Sequence, residues 1–284
     1  MDKPARELAG ETFLNRLVHV INHTIPLTER GERDGIPISL RGLLPPTRLS
    51  DLPQLSFNIK SRLEELASKG FSWHIDSSRT LTNILAALYG FWVPSGASRG
   101  VERVVILSKG HGSLALYATY EVVGVIPRGS VESEFFVAGS RLQSHPEAGR
   151  LPGILVSTGS LGQGLSVANG IALASRIAKK NVEVAVIVGD GELDEGQVWE
   201  AIATGSSHRL DNVIMIIDRN GVQHSGHTEA VKPKEPLSLR LKAFNWHVVE
   251  VADDPVSIAS TLRLLERVSG APKAVIVNTW SNSS

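Results

Sequence analysis

Two short apolar runs, each followed by a polar residue among glycines, constrain the fold of this chain. Residues 182–188 lead into a Gly-Asp-Gly turn around Asp190, and residues 213–217 lead into Asn220. Continuous Val and Ile runs that alternate with helical segments are typical of parallel strands buried on both faces. Asp190 and Asn220 are 30 positions apart. One βαβ unit has about this length, so both residues are expected at the same edge of one sheet.

The same alternation continues along most of the chain. Apolar residues at helical spacing predict helices, and further short apolar runs predict strands. This pattern predicts an α/β domain in which helices cover both faces of a parallel sheet, with ligand sites at the carboxyl ends of the strands. The predicted helices are 56–69, 80–89, 113–123, 164–179, 195–207, 237–244 and 255–268, and the further strands are 101–107, 246–251 and 274–279.

Residues 1–50 differ in pattern from residues 51–284, which form the predicted α/β domain. Apolar residues between Phe13 and Ile25 fall at helical spacing and predict a short amphipathic helix. From there to residue 50 the chain carries four prolines and mixed charge, which is typical of an irregular arm. A surface extension is the favoured interpretation of this arm, and a partner-binding arm is the alternative.

Composition excludes several classes of protein. The 284 residues include 29 basic and 29 acidic side chains, so no global field attracts nucleic acid or an anionic membrane. Cysteine is absent, which excludes disulfides and thiolate metal ligands. The charged N-terminal residues contain no apolar stretch of the signal-peptide type, and no apolar run approaches the length of a membrane span. A cytoplasmic protein is therefore expected.

The turns that follow the two central strands predict a magnesium site. The Asp190 carboxylate and the Asn220 amide oxygen are hard ligands of the kind that Mg²⁺ prefers, and the Val222 carbonyl is a candidate third ligand. Gly189 and Gly191 allow the backbone to approach a diphosphate. A lone Gly-Asp-Gly is more often a simple turn. The matched asparagine, one crossover connection away, favours the metal site. Ca²⁺ or Mn²⁺ is expected to be able to substitute for Mg²⁺ there.

A glycine-rich stretch at residues 159–164 raises the alternative of a dinucleotide-binding loop. The first two glycines, Gly159 and Gly162, are three positions apart rather than two. No acidic partner for a ribose follows at the expected distance. A nicotinamide-dependent oxidoreductase is therefore the weaker interpretation.

Five sequence blocks, in order, resemble the N-terminal, pyrophosphate-domain subunit of split transketolases. The resemblance extends over roughly residues 55–280, and five ordered matches are far more specific than any one of them. It implies a thiamine diphosphate-binding fold of the pyrophosphate type. The blocks are Leu-Ser-Lys-Gly-His-Gly at 107–112, Gln-Ser-His-Pro-Glu at 143–147, Ser-Thr-Gly-Ser-Leu-Gly-Gln-Gly at 157–164, Gly-Asp-Gly-Glu-Leu-Asp-Glu-Gly-Gln-Val-Trp-Glu-Ala at 189–201, and the segment 210–221.

The resemblance implies a cofactor role for particular residues. Gly191 and His111 would contact the diphosphate, while Gly159 and Leu161 would lie against the aminopyrimidine and the thiazolium. Glu195 resembles an acidic residue that meets its counterpart, or the partner's cofactor site, across the subunit interface. The remaining candidate cofactor contacts are Ser160, Gly189, Asp190, Glu192, Asn220, Val222 and His224, of which Asp190, Asn220 and Val222 would also hold the metal.

Three histidines are candidate catalytic residues by the same resemblance. His145 would hydrogen-bond a donor ketose near its C1 and C2 oxygens, and His74 would handle substrate protons and oxygens. His111, which would contact the diphosphate, is the third candidate. A histidine pKa near working pH suits such transfers. A histidine is nevertheless often structural, and His19, His23, His208, His227 and His247 are interpreted as surface or structural residues.

The sequence departs from the family pattern in several places. Around His74 the glycines of the family are replaced by bulkier residues, including Trp73, which implies a reshaped pocket. Arg79 either binds an unusual anionic group or pairs with Asp76 on a helix face. His224 occupies a usually apolar position. The diphosphate-contacting histidine that follows the last strand of the family has no counterpart among residues 281–284.

The resemblance also implies a partner. The glutamate that activates thiamine diphosphate lies in a pyrimidine domain, for which the 284 residues leave no room. A C-terminal pyrimidine-domain subunit is expected to supply it, in an α2β2 heterotetramer, so this chain alone is expected to be inactive.

The expected reaction is transfer of a two-carbon ketol unit from a ketose phosphate to an aldose. The altered surroundings of His74 leave open a second acceptor, the thiol of an acyl carrier protein, as in 2-oxo-acid dehydrogenase-like systems. A non-catalytic scaffold subunit is the alternative of another class. The retained Asp190 and Asn220 argue against that alternative, because a degenerate site has no physical need for both.

Overall fold

A five-stranded, all-parallel sheet forms the centre of the part of the chain that the computed structural model describes, which is residues 32–33, 36–37 and 39–279. The spatial order is β1-β2-β3-β5-β4. This confirms the predicted parallel sheet, and each strand lies within one or two residues of its predicted bounds. The strands are β1 (Glu102–Leu107), β2 (Val182–Gly189), β3 (Val213–Arg219), β4 (His247–Ala252) and β5 (Lys273–Asn278).

Helices occupy the connections between the strands. Two pairs of two-residue strands, 32–33 with 36–37 and 222–223 with 226–227, are antiparallel. The helices are α1 (Leu52–Ser68), α2 (Ile75–Arg79), α3 (Thr82–Ala87), α4 (Val93–Ala97), α5 (Ser113–Val122), α6 (Ser130–Glu134), α7 (Gln163–Ile177), α8 (Gly196–Ser207), α9 (Thr228–Val231), α10 (Leu237–Ala243) and α11 (Pro255–Leu265).

Both faces of the sheet are buried, as the continuous apolar runs predict. Along β2, Ile187 belongs to a core shared with α1, α3, α5 and α11, whereas Val186 and Val188 belong to a second core shared with α7, α8 and α10. Alternate residues of a strand point to opposite faces, so one run of mostly Val and Ile supplies both cores. The predicted helical layers on both faces are confirmed.

The register of the central strands brings their polar carboxyl ends together. Gly189 of β2 is paired with Asp218 of β3, and Asp218 is paired with Val277 of β5. Beyond the ladder, the Asp190 amide donates to the Asp218 carbonyl at 3.1 Å. The turns that begin at Asp190 and Asn220 therefore lie side by side, as their spacing predicts.

Some elements differ from the sequence-based expectation. The short helices α2, α4, α6 and α9 were not among the predicted helices, and the helix predicted at 80–89 is divided into α3 and a π-helical turn, Leu88–Trp92, before α4. Pro94 near the start of α4 has no N–H to donate, which accounts for a local change in pairing. A 3-10 turn, Gly191–Asp194, separates the Gly-Asp-Gly loop from α8.

Two sequence-based predictions lie outside the described residues: the N-terminal amphipathic helix and the chain end after the last strand. Within the described ranges, no helix is long and apolar enough to cross a membrane.

Candidate active site

Asp190 lies at the end of β2 and points toward the loop that follows β3. Its side chain is buried, and Oδ2 accepts hydrogen bonds from the Gly221 amide at 2.8 Å and the Thr228 hydroxyl at 3.2 Å. The amide of Gly191 donates to Oδ1 at 2.9 Å. Asn220 immediately precedes Gly221, and its own Oδ1 accepts from the Val222 amide at 3.0 Å. The aspartate and the asparagine are thus held at one place on the sheet edge.

The electrostatics of Asp190 suit a bound cation. Burial raises the pKa of this carboxyl, while the Gly221 amide opposes the shift. A divalent ion would stabilise the charged form that burial disfavours. The described residues contain no group of three or more His, Asp or Glu side chains able to hold a metal. An ion here would therefore rely on one carboxylate, one amide oxygen and backbone oxygens, a donor set that fits a hard cation such as Mg²⁺.

Gly191 lies against the loop that follows β3. A Cβ on Gly191 would lie 2.7 Å from Cβ of Gln223, so only glycine fits there. Oε1 of Gln223 is buried and has no hydrogen-bond partner among the described residues. A buried polar atom without a partner costs free energy unless a ligand or water satisfies it. An amide oxygen is a ligand that a hard cation accepts, so the residues present fit the metal that the sequence predicts.

A buried ion pair lies directly beneath this edge. Nζ of Lys109, just after β1, is 2.5 Å from Oδ2 of Asp218 at the end of β3, and both side chains are almost fully buried. Asp218 also accepts hydrogen bonds from the hydroxyls of Thr80 at 2.7 Å and Thr279 at 2.5 Å. Asp218 therefore connects the ends of β1, β3 and β5 with the segment that follows α2.

Glu192 forms a second connection between loops. One carboxylate oxygen accepts from the Ser108 hydroxyl and from the Gly162 amide at 2.7 Å, and the other accepts from the Gly189 amide at 3.2 Å. Burial raises the pKa of Glu192, and these hydrogen bonds act in the opposite direction. Glu192 thus connects the loops that carry Ser108, Gly162 and Gly189.

The glycine-rich turn that precedes α7 faces the histidines. Gly159 has φ of 138°, and a Cβ there would lie 3.0 Å from the His145 ring. A side chain at this position would therefore be strained and would displace the imidazole. The Gln197 side chain donates to the Leu161 carbonyl at 2.8 Å, which holds the turn against α8, and Ser160 is exposed.

The three candidate catalytic histidines converge at one place. The ring centroids of His74 and His111 are 4.9 Å apart, and Trp73 contacts His74 at 4.6 Å and His145 at 6.1 Å. Nε2 of His111 lies 3.0 Å from the Ser77 hydroxyl on α2. His74 has φ of 44°, a left-handed conformation at the start of α2. Strained backbone of this kind is often retained at functional sites.

The environment of these histidines favours their neutral forms. Burial, assisted by the Lys109 charge, lowers the pKa of His111 to about 3. Burial also lowers the pKa of His74 and of His145. A neutral imidazole has one nitrogen that accepts a proton and one N–H that donates a hydrogen bond. At neutral pH the cluster can therefore donate hydrogen bonds to substrate oxygens and accept them from substrate hydroxyls.

Other candidate residues lie at the surface of the site. Glu195 is exposed next to the glycine turn, and Val222 and His224 are exposed on the tight turn between 222–223 and 226–227. The charge of His224 acts on the pKa of His74, so the two lie near one another. His208, His227 and His247 are exposed, which confirms their interpretation as surface residues. His19 and His23 lie outside the described residues.

Arg79 forms ion pairs within the protein, which is the second of the two interpretations that the sequence allowed. Its guanidinium donates to Asp76 at 2.8 Å, as predicted, and also makes two parallel hydrogen bonds of 2.8 Å with Glu64 of α1. This arrangement ties α2 to α1 and leaves the anion-binding interpretation of Arg79 without support.

Sequence reasoning missed several residues that build the site. Lys109 and Ser108 belong to a matched block, and Asp218 precedes the metal-site asparagine, but no role was predicted for them. Their positions at strand ends were a usable signal, because polar residues buried at the carboxyl edge of a parallel sheet commonly serve a ligand site. Ser77 and Gln197 carried no comparable signal.

The parallel sheet, the glycine turns and the polar strand ends define a thiamine diphosphate-binding α/β domain. In agreement, residues 98–281 match the family model described as "Transketolase, thiamine diphosphate binding domain". The chain belongs to the transketolase family and is a thiamine diphosphate-dependent transferase of that type.

Several similar proteins cover most of the chain. It is 37% identical over 224 residues to the 6-deoxy-6-sulfo-D-fructose transketolase subunit SqwG of Clostridium sp. (strain MSTE9), covering 78% of this chain and 81% of that protein. It is 38% identical over 225 residues to one of the subunits of the apulose-4-phosphate transketolase of Phocaeicola vulgatus, covering 78% and 79%. The match to transketolase subunits agrees with the resemblance found in the sequence.

A solved structure shares the fold. Transketolase from Leishmania mexicana superposes with a TM-score of 0.69 at 25% identity, over 80% of this chain and 36% of that enzyme. The chain thus spans about a third of the length of the complete transketolase. This confirms the predicted pyrophosphate-type fold.

Proposed function

We propose that this chain holds thiamine diphosphate through one divalent cation bound by Asp190, Asn220 and the Val222 carbonyl. The hydrogen bond from the Gly221 amide to Asp190 is the single observation that carries the proposal, because it fixes the loop after β3 against the end of β2. Magnesium is the proposed ion, with Ca²⁺ or Mn²⁺ as substitutes. Diphosphate oxygens and water would complete its preferred octahedron.

The remaining cofactor contacts are proposed for residues around the same edge. Gly189, Gly191, Ser160 and His111 would face the diphosphate, supported by the hydrogen bond that places the Gly191 amide beside Asp190. Gly159 and Leu161 would lie against the two rings, with His224 at the rim of the site. The protein hydrogen bonds of Glu192 support an indirect role, in which it holds the Gly162 turn and the Gly189 loop in place.

Bound thiamine diphosphate would supply a carbon nucleophile that cleaves the bond beside a ketone. The proposed work of the chain is to position the substrate and to move protons. A neutral His145 would donate its N–H to the donor oxygens near C1 and C2. His74 would accept or return a proton at the hydroxyl where the bond breaks or forms. The buried, neutral state of His111 supports a hydrogen-bonding role beside His74.

The proposed reaction moves two carbons with no net oxidation. The C2–C3 bond of a ketose phosphate breaks, and the distal fragment leaves as an aldose after its C3 hydroxyl loses a proton. The two-carbon unit then forms a new bond to the carbonyl carbon of an acceptor aldehyde, whose oxygen takes up a proton. The two relatives are named for phosphorylated or sulfonated sugars, which supports an anionic ketose as donor.

A partner subunit with the pyrimidine domain is part of the proposal. The relatives that cover most of this chain are themselves named as subunits. Glu195 is exposed beside the glycine turn, which supports a place at the subunit interface. The partner would supply the activating glutamate, and the assembly would be an α2β2 heterotetramer.

Ketol transfer by the assembled enzyme tests this function. The chain and its partner are incubated with thiamine diphosphate, Mg²⁺, fructose 6-phosphate and ribose 5-phosphate, and the sugars are analysed by mass spectrometry. We expect a seven-carbon ketose phosphate, formed only when both subunits are present and lost in Asp190→Asn. The matched variant Glu200→Gln, which changes an exposed acidic residue on α8, should retain activity.

Two results would contradict the proposal. An increase in the mass of an added acyl carrier protein, without a new sugar, would assign the two-carbon unit to a carrier thiol. Full turnover by this chain alone would remove the need for the partner.

A further inference from the structure

A pocket lies beside the histidine cluster and shares His74 with it. Its volume is about 360 Å³, within the range of small-molecule sites. None of the proposed metal or diphosphate contacts lines it. The lining residues are Gly70, Phe71, Ser72, Trp73, His74, Phe135 and Phe136.

Trp73 connects this aromatic pocket with the histidines. Its ring lies edge-on to Phe136 at 5.1 Å and to His145 at 6.1 Å, and it contacts the neighbouring His74 at 4.6 Å. His74 also contacts His111. A substrate whose reacting carbon lies among the histidines can therefore extend its far end into the aromatic pocket.

Two residues that line the pocket have left-handed backbone conformations. Phe136 has φ of 62° and its side chain is 53% exposed. A bulky residue in the left-handed region is uncommon and costs free energy unless the surroundings favour it. His74, on the other segment of the lining, is also left-handed. An exposed aromatic side chain held in this way offers its ring to a ligand.

No lining residue is a lysine, an arginine or an acid. The cations that flank the lining segments along the chain are held in ion pairs. Lys69 pairs with Glu65 and Glu132, Arg79 pairs with Glu64, and Arg141 pairs with Glu134. Burial lowers the pKa of His74, which reduces its positive charge at neutral pH. The part of the pocket that this chain forms therefore offers aromatic and uncharged polar surface, but no lysine or arginine for a phosphate.

We propose that the aromatic pocket binds the uncharged, apolar end of the acceptor aldehyde. This inference rests on the proposed ketol transfer and specifies its acceptor class. The faces of aromatic rings carry negative charge density, so they favour C–H groups and disfavour a phosphate dianion.

Competing acceptors test this assignment in the assembled enzyme. Fructose 6-phosphate is kept as donor, and glyceraldehyde 3-phosphate, glyceraldehyde and 2-hydroxypentanal are compared as acceptors. These aldehydes share the hydroxyl next to the carbonyl and differ in the group at the far end. We expect kcat/KM for 2-hydroxypentanal to exceed that for glyceraldehyde 3-phosphate by about tenfold or more, which a few methylene contacts can supply.

A pair of neighbouring variants identifies the surface. Phe136→Ser should lower kcat/KM for 2-hydroxypentanal about tenfold, the scale of a lost apolar contact, and leave the phosphorylated acceptor nearly unchanged. Val137→Ser is the matched control, because Val137 is 50% exposed and does not line the pocket. A preference of the wild type for glyceraldehyde 3-phosphate, or equal effects of the two variants, would overturn the inference.

Two further measurements separate this inference from the proposed function. Donor consumption with ferricyanide in place of an acceptor reports the first half of the reaction alone. If the donor reacts but 2-hydroxypentanal does not, the acceptor assignment fails while the donor half of the proposed function stands; if the donor does not react, both fail. Saturation-transfer NMR with 1,2-pentanediol, which cannot react, should show contact with the wild-type chain and with Val137→Ser. The signal should be lost in Phe136→Ser, and its persistence there would contradict the assignment.

Discussion

Nζ of Lys109 lies 2.5 Å from Oδ2 of Asp218 inside the protein, beneath the edge where Asp190 and Asn220 meet. The pair joins the end of β1 to the end of β3, and the Thr80 hydroxyl ties the segment after α2 to the same carboxylate. Asp218 lies near the end of β3, the strand that leads to Asn220, and it is also bonded to the segment that follows α2, the helix that begins at His74. This arrangement couples the position of the metal edge to that of the histidine cluster.

Lys109→Met is expected to destabilise the fold strongly. Removing one partner of a buried pair leaves the other charge uncompensated, which typically costs about 3 to 5 kcal/mol. Denaturant unfolding followed by circular dichroism measures the loss. The double variant Lys109→Met with Asp218→Asn should recover part of it, since the unpaired charge is gone. Lys60→Met, on an exposed lysine of α1, serves as the control, and equal effects of Lys60→Met and Lys109→Met would contradict this account.

Glu192→Gln tests the connection between the loops. The substitution keeps the shape of the side chain but puts an NH₂ group against the amide of Gly162 or Gly189, both of which donate to the glutamate. One buried donor then lacks an acceptor, at a cost of about 1 to 3 kcal/mol. Hydrogen exchange should show faster exchange of the Gly162 amide than in the wild type. Unchanged exchange would mean that Glu192 does not hold the turn.

The stability of the isolated chain should depend on pH through His111. Its pKa is lowered from 6.5 to about 3 in the folded protein, so the unfolded chain binds the proton first as pH falls. Stability contributed by His111 is therefore complete above pH 6.5 and decreases as pH falls below it. One such group contributes a slope of at most about 1.4 kcal/mol per pH unit.

His111→Asn should remove this contribution. Unfolding by urea at several pH values between 5 and 8 (roughly the range in which native proteins are most stable) compares the variant with the wild type. Subtracting the pH dependence of the variant from that of the wild type gives the contribution of His111 to stability. The raised pKa values of the buried Asp190 and Glu192 affect stability in the opposite direction, but both proteins contain these residues. Identical pH dependence in the two proteins would contradict the proposed neutral state of His111.

The central strands were predictable because burial on both faces leaves a direct signal in the sequence. Residues 182–188 contain almost nothing but Val, Ile and Ala, and a parallel strand covered by helices needs such a run. The distance from Asp190 to Asn220 fixed their common edge, since one crossover must return to a neighbouring strand. Helices with three or more turns were predictable for a similar reason, because their apolar stripes repeat.

Short elements and long-range contacts left no such signal. The helix α2 has five residues, too few for a periodic stripe, and it begins at a left-handed His74 that sequence does not reveal. The Lys109–Asp218 pair joins residues far apart in the chain, so only the folded sheet brings them together. The aromatic pocket likewise arises where residues 70–74 meet residues 135–136. Trp73 in the sequence indicated a reshaped pocket, but the other residues that line the pocket could be identified only from the folded structure.

Calorimetric titration of thiamine diphosphate into the assembled enzyme tests the central claim most directly. The account predicts that binding requires Mg²⁺ and that Asp190→Asn weakens it by about tenfold or more, the scale seen when groups at a metal site are altered. Glu200→Gln should bind like the wild type. Equal affinity with and without Mg²⁺, or equal affinity for Asp190→Asn and the wild type, would contradict the proposal that this strand edge holds the cofactor through a metal ion.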